Sequence, residues 1–373
     1  MDLTLTEDQQ MIRESANRFV TDIGRPEPGA KGFDRAMWRQ MAEMGWIAAG
    51  VSEDLGGFGG AVETALIVEE LGRGSRGGDF LGAAVLGPQL LIASGDVGQC
   101  AALLPDILAG TMLLAAAFSE PDAGGRLSAV STRAVADGDV FRLTGVKTMV
   151  LAGDVADRYI VSARTGGGDR DETGISLFVL DAGAEGVSMH STPLLDGSSA
   201  AALRLDGAAA MLLGEAGSGH DALVAMAEQG IAAIAAESVG MMEGVAEITA
   251  EYFRTRKQFG MLLGQFQVLQ HKLADMTIDA EMARTTLLVA LAAFENADSR
   301  ARARRFSGAK AAAGEALRRV TEAGVQAHGG MGMTQEHPVG HYLQRMVVLD
   351  AILGSPAYHF AQCARSLVST PHG

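Results

Sequence analysis

The chain has 373 residues, of which 48% are hydrophobic, with 9 Pro and 2 Cys, a length that supports about two to three domains and a full buried core. Its formal charge, 30 − 45 = −15, excludes broad electrostatic binding to nucleic acid or to an anionic membrane, so a phosphate-bearing ligand needs a local basic cluster. Glycine takes 48 of 373 positions, about 13% against the usual ~7%, without the prolines or the three-residue period of disordered or collagen-like chains. Cys100 and Cys363 are too few and too far apart for a disulfide framework or a Cys-rich metal site. The N-terminus, MDLTLTEDQQ, has no basic stretch followed by an apolar one. A cytoplasmic protein without membrane spans is expected.

Along the chain, the first periodicity is helical. Thr6 and Gln9 have the spacing of a capping box, and Met11, Ile12, Phe19 and Val20 recur at helical intervals. A second pattern, Met37, Trp38, Met41 and Met44, stops at Gly45, and a third helix is expected over 61–72. The glycine-rich VSEDLGGFGG (51–60) between them reads as loop, and a further helix over 98–109 ends at Gly110. From about residue 112 to 207 the period becomes two. Short apolar runs at 112–117, 140–143, 159–163 and 175–180 alternate with turns, and Asp137-Gly138 marks a hairpin after a strand at 127–136. From about residue 218, long helical stretches return at 221–256, 264–297, 300–328 and 342–368. Four long helices with short connections favour an antiparallel bundle. The expected organisation is therefore α+β: an N-terminal helical domain (1–111), a middle β domain (112–217) and a C-terminal four-helix bundle (218–373).

Several common chemistries lack their motif. No G-x-G-x-x-G follows a strand and opens a helix, and neither a phosphate-cradling G-x-x-x-x-G-K-[ST] nor a nucleophile elbow G-x-S-x-G is present. His337 and His341 are four apart, as two imidazoles on one helix face would be, but His337 precedes Pro338 and no third ligand lies at a recognisable interval, so no metal site is expected.

One basic cluster stands out in the acidic chain: Arg254, Arg256 and Lys257 in EYFRTRKQFG (251–260). At a helix C-terminus such residues commonly complement the dipole. Here they run into Gln258, Phe259 and Gly260, and the next helix opens with Gln265, Gln267 and Gln270, so planar donors suited to a pyrophosphate converge on one turn. Gln326, followed by Gly329 and Gly330, places an amide beside backbone that permits close ligand approach.

These segments carry a resemblance. FSEPDAGG (118–125), LTGVK (143–147), RKQFG with GQFQVLQHKLADM (256–276) and QAHGGMGMTQEHPVGHYLQRM (326–346), in this order along essentially the whole chain, are similar to the acyl-CoA dehydrogenase family. The resemblance implies that family's fold, FAD bound at a subunit interface, and α,β-dehydrogenation of an acyl-CoA thioester, in which a carboxylate removes the α proton and hydride passes from the β carbon to the flavin. It also implies an electron-transfer flavoprotein as acceptor. By resemblance, Arg256, Gln258, Phe259, Gln267, Gln326, Gly329 and Gly330 contact the FAD of the neighbouring subunit, while FSEPDAGG, with Ser119, lies near the flavin ring and acyl chain of the chain's own side.

The sequence departs from that pattern in two places. The family supplies its base from one of two positions, which here are Leu353, before Gly354-Ser355, and Gly230, thirty residues before Gly260. Neither is a carboxylate. Glu228 is two residues from the second position, a helical step of roughly 200°. The Trp-Ile-Thr that in the family packs on the flavin ring is replaced by Met149, Val150 and Leu151. The chain resembles most the small subunits of two-component bacterial acyl-CoA dehydrogenases of the pimeloyl-CoA dehydrogenase type, especially through IAAIAAESVGMME (231–243) and EHPVGHYLQR (336–345), paired subunits of a kind also found in actinobacterial steroid side-chain degradation. The expectation is an α2β2 assembly in which this chain donates half of an interfacial FAD site and a related partner carries the base. The alternatives are a self-sufficient homo-oligomer, either a dehydrogenase using Glu228 or a related flavin oxidase or monooxygenase, and a non-catalytic assembly module.

Overall fold

The computed structural model describes residues 5–27 and 29–368. Helices α1 (Glu7–Ile23), α2 (Arg35–Glu43) and α3 (Ala61–Arg73) come first, followed by a π-helical segment, Leu81–Leu86, that runs into α4 (Gly87–Ala93), and by α5 (Val97–Leu108). Strands β1 (Leu114–Ala117), β2 (Arg133–Asp137), β3 (Val140–Leu151), β4 (Arg158–Arg164), β5 (Ile175–Asp181), β6 (Val187–Pro193) and β7 (Ser199–Leu213) follow. The C-terminal part comprises α6 (Gly219–Thr255), the hairpin β8 (Lys257–Gln258) and β9 (Met261–Leu262), α7 (Gln267–Leu291), α8 (Ala293–Asn296), α9 (Ser299–His328), α10 (Val339–Ala351) and α11 (Pro356–Val368). The chain thus has N-terminal helical, middle β and C-terminal helical parts. Packing gathers the residues into two compact units, one from the described parts of 1–30, 65–78 and 231–373, the other from 31–64 and 79–230.

In the second unit the strands form one seven-stranded sheet, ordered β1-β4-β2-β3-β7-β5. β5 pairs back onto β4, so the path β4-β2-β3-β7-β5 returns on itself, and β6 adds to β7. Leu143, Tyr159, Val161, Phe178, Leu203 and Leu205 fill the core between its faces. The strand expected over 127–136 begins only at Arg133. The cause is side-chain competition for the backbone: Glu120 accepts the amides of Ser131 at 2.7 Å and Thr132 at 3.1 Å, and Arg164 donates to the carbonyls of Ser128 and Val130 at 2.6 and 3.1 Å. Those groups are therefore not available to a ladder.

In the first unit α3 and α6 pack with their backbones in contact. A Cβ at Gly240 would lie 1.8 Å from the Glu69 carbonyl oxygen, so only glycine fits there. Charged side chains close the same region: Arg73 pairs with Glu70, Glu243 and Glu247, and Arg284 bridges Glu69 at 2.8 Å and Glu243 at 2.5 Å. The expected last helix, 342–368, is two helices, α10 and α11. Leu353 and Gly354 take φ of 57° and 99°, and Pro356 opens α11. A left-handed pair ahead of a proline ends one helix and starts another. The bundle is correspondingly more divided than four long helices, and α7 starts at Gln267 and ends at Leu291, with α8 as a separate turn. α6 has the length and apolarity of a membrane span, but 83% of its most apolar window is buried in the fold, as in a core helix.

Candidate functional site

The first unit assembles a surface from three elements. α6 ends at Thr255, and the chain turns through a hairpin whose two loop residues, Phe259 and Gly260, both have positive φ, 53° and 82°. Two left-handed residues are what a type I′ two-residue hairpin requires, but Asn-Gly is the usual pair and a phenylalanine there is strained. The strain holds Phe259 away from the fold: its side chain is 90% exposed, with the Phe266 ring edge-on at 6.3 Å. Backbone strain held in place by its surroundings is a mark of function rather than of stability.

The polar groups beside Phe259 are equally uncommitted. Arg254 lies 3.5 Å from Glu251, whereas Arg256 makes no ion pair among the described residues, in a chain with a 15-charge acidic excess. Gln258, Gln267 and Gln326 are exposed and make no side-chain hydrogen bond among the described residues. Gln265 and Gln270, expected to join them, do not. Gln265 Oε1 accepts the Leu262 amide at 3.1 Å, and Gln270 Nε2 donates to the Gly264 carbonyl at 2.8 Å, so both are spent on holding the hairpin to α7.

The third element is the turn after α9. Gly329 has φ of 61°, its amide donates to the Gln326 carbonyl, and a Cβ at Gly329 or at Gly330 would meet nothing within 4 Å. The glycine pair leaves open backbone beside Gln326, as an approaching dinucleotide needs. A stack of rings joins this turn to α6: Tyr252, one turn before Arg256, lies 4.5 Å from His328, which lies 4.4 Å from His337. Instead of pairing with His341, His337 stacks on His328, and the described residues contain no group of three metal-ligating side chains. Nothing in the sequence reading singled out this stack, although Tyr252 and His328 flank the two motifs.

The second unit holds the segments expected near the flavin ring. Lys147 and Glu120 are fully buried and paired at 2.6 Å, with Ser162 Oγ at 3.0 Å from the ammonium. Burial draws the lysine down to about 8; burial would raise the carboxyl, but Lys147 and the donors of Ser131 hold it at about 2. Glu120 thereby closes the neck of the loop that begins at Ser119, whose carbonyl accepts the Thr148 amide at 2.9 Å. The frame around the ring segment is intact, but its lining is not. Met149, at an irregularity between β3 and β7, and Ala152, just past the end of β3, both have φ of 53°, Val150 is fully buried, and Leu151 packs so that a Cβ at Gly82 would come within 2.6 Å of its Cβ. Residues 150–151 are thus directed into the fold and offer neither an aromatic face nor a hydroxyl to a ligand.

Of the carboxylate positions, Gly230 lies buried within α6, and Glu228 on the same helix is 5% exposed, turned away from the Gly230 face. Leu353 is 7% exposed, and its turn is fixed from several directions: its carbonyl accepts from His359 Nε2 at 2.9 Å, the Leu349 carbonyl accepts from buried Lys310 at 2.7 Å, and Arg318 pairs with Asp350. Glu237, two turns beyond Gly230, is engaged by Arg345 through bonds of 2.7 and 2.9 Å, with both partners buried.

FAD fits one part of this chain and not the other. An exposed guanidinium, three amides, an outward aromatic ring and open glycine backbone suit a pyrophosphate and its sugar, whereas the 149–151 segment does not suit a flavin ring. An α, β, α chain with such a surface is suited to holding a flavin dinucleotide.

Comparison with known proteins makes the class specific. The N-terminal, middle and C-terminal domain models of acyl-CoA dehydrogenase match residues 6–111, 115–207 and 217–368. A probable acyl-CoA dehydrogenase of Bacillus subtilis, YngJ, is 30% identical over 99% of this chain and 100% of its own length. Among solved structures, butyryl-CoA dehydrogenase from Megasphaera elsdenii is similar with a TM-score of 0.91 at 26% identity, covering 99% of this chain and 100% of that one. A chain of the ChsE4-ChsE5 complex from Mycobacterium tuberculosis is similar with a TM-score of 0.84 at 28% identity, covering 100% of both. The chain belongs to the acyl-CoA dehydrogenase family and is an oxidoreductase of that FAD-binding family.

Proposed function

We propose that this chain is the donor subunit of a two-component acyl-CoA dehydrogenase. Its bundle supplies half of an interfacial FAD site, and a related partner in an α2β2 assembly carries the ring pocket and the base. The observation that carries this reading is a contrast within the chain: Arg256, Gln258, Phe259, Gln267, Gln326, Gly329 and Gly330 are outward-facing, while Gly230 and Leu353 stand where the bases are expected. An exposed, unpaired arginine beside amides binds a phosphate bidentately. Phe259 adds a flat apolar surface, and the glycine pair admits the cofactor to hydrogen-bonding distance of the main chain. FAD supplies hydride acceptance from the β carbon of the acyl-CoA, and its electrons leave to an electron-transfer flavoprotein. Ser119 and its loop remain on this chain's own side as a folded but ring-incompetent counterpart. The similarity to a chain of the ChsE4-ChsE5 complex supports a paired arrangement; a cytoplasmic setting in lipid or steroid catabolism is part of the same proposal.

One observation favours a second reading, a homo-oligomeric enzyme with Glu228 as base: this carboxyl is 5% exposed, and natural chains seldom bury one without a role. Co-expression with a tagged related subunit decides between them. The donor reading requires copurification, activity only in the complex, and an FAD-to-chain ratio near one half; stoichiometric FAD and acyl-CoA oxidation by the chain alone sink it.

A further inference from the structure

We propose that the stacked rings of Tyr252, His328 and His337 are the positioning element of the donated half-site, and that His328 thereby controls how tightly FAD is held. The inference rests on reading the 256–260 hairpin and the 326–330 turn as one cofactor-binding face.

Those two segments lie far apart in sequence, and each is too short and too exposed to fix its own position. The ring stack joins their roots. Tyr252 is one helical turn before Arg256, whose amide donates to the Tyr252 carbonyl at 2.9 Å. His328 directly precedes Gly329. The Tyr252 and His328 rings lie 4.5 Å apart at 32°, near enough to parallel to fix their mutual orientation. His337, on the far side of the glycine turn, lies 4.4 Å from His328 and approaches Tyr252 edge-on at 6.5 Å and 78°. The loop from 328 to 337 therefore begins and ends on one aromatic cluster, with the ligand-facing glycines between. Tyr252 Oη also lies 4.0 Å from Met331 Sδ, and a Cβ at Gly332 would sit 3.2 Å from that of His328, so the turn folds back over the ring.

His328 is an expensive choice for filling space. It is 3% exposed, its Nδ1 donates to the Gly324 carbonyl at 2.8 Å, and the Ile248 backbone on α6 also acts on the ring. The bond to Gly324 locks the ring plane, and a buried imidazole needs such polar partners where a leucine would need none. Burial lowers the proton affinity of both His328 and His337, the latter further through His328 and His341. The arrangement gives a fixed ring orientation beneath the turn.

The test uses the flavoprotein as purified with whichever subunit copurifies, comparing wild type with His328→Leu, His328→Phe and His337→Leu. FAD dissociation constants come from flavin fluorescence, and unfolding midpoints from the apo form. His328→Leu is expected to weaken FAD binding about tenfold or more, with His328→Phe, which keeps a stackable ring, staying within about threefold of wild type. A purely structural residue would lower the apo midpoint and leave FAD affinity unchanged; that result overturns the proposal, as does a His328→Phe loss equal to that of His328→Leu. If His328→Leu fails to fold, His337→Leu reads the same stack: a rise of about tenfold supports it and an unchanged constant overturns it. Wild type without bound FAD would instead overturn the underlying reading of the face.

Discussion

Lys147 and Glu120 form an ion pair 2.6 Å long inside the β sheet domain, with the lysine ammonium fully enclosed. Glu120 spends its remaining capacity on Ser131 and Thr132, so one carboxylate ties β3 to both ends of the loop from 118 to 132. Lys147→Met strands a buried carboxylate, and loss of about 3–5 kcal/mol in urea unfolding is expected. The double variant Lys147→Met, Glu120→Leu removes both charges and recovers part of that loss. Equal stability of the single variant and wild type would show that water reaches the site.

The pH dependence of stability follows from His359. Buried and bonded to Ser307 and Leu353, it is pushed down to about 4 by burial, below the usual 6.5 of an imidazole. A depressed folded value means that the unfolded chain binds the proton more readily. The stability contributed by neutral His359 is therefore complete above about pH 6.5 and is lost as the pH falls towards 4, by a few kcal/mol in all (about 1.4 kcal/mol per unit). Thermal unfolding of wild type and His359→Gln between pH 7 and 4 should show a steeper decline in wild type. Parallel profiles count against the assignment.

For the cofactor face, Arg256→Gln exchanges a guanidinium for an uncharged amide without disturbing any ion pair among the described residues. FAD affinity is expected to fall roughly ten- to a hundredfold, the weight of a charge-assisted hydrogen bond of about 1.5–3 kcal/mol, with no change in the apo unfolding midpoint. Retention of FAD through gel filtration at wild-type levels would remove Arg256 from the site.

Glu228→Gln keeps the shape of a buried side chain and deletes its basicity. In the donor arrangement, turnover of the purified complex should be unchanged within about twofold, whereas removal of a general base costs typically 100- to 10,000-fold. Acyl-CoA oxidation coupled to a dye acceptor measures the difference directly.

Much of this was legible in the residues. The Thr6 capping box is present with both reciprocal bonds, the switch from helical to alternating pattern marks the strands, and Arg256, Gln326 and the glycine pair, singled out by their local pattern, are exposed in the fold. What failed had a tertiary cause. The strand expected from 127 is a loop because Glu120 and Arg164, distant in sequence or in register, claim its backbone groups. Gln265 and Gln270 look like ligand donors in the sequence because nothing local reveals that they bond Leu262 and Gly264. The break at 352–355 lay behind a leucine, a residue that gives no warning of left-handed backbone. The ring stack was invisible because its members are spread over α6, the end of α9 and the start of α10.

The exposure of Phe259, held outward by a strained hairpin, and of Met331 and Met333, at 46% and 75%, has a consequence for the chain before any assembly. Synthesised in excess over its neighbour, the subunit presents aromatic and thioether surface to water with nothing to cover it, a liability for aggregation and for recognition by quality control. Mass action then links its survival to the supply of whatever docks there. In the donor reading, the same exposed surface makes the chain a poor solitary molecule, and its abundance in the cell should follow that of its partner.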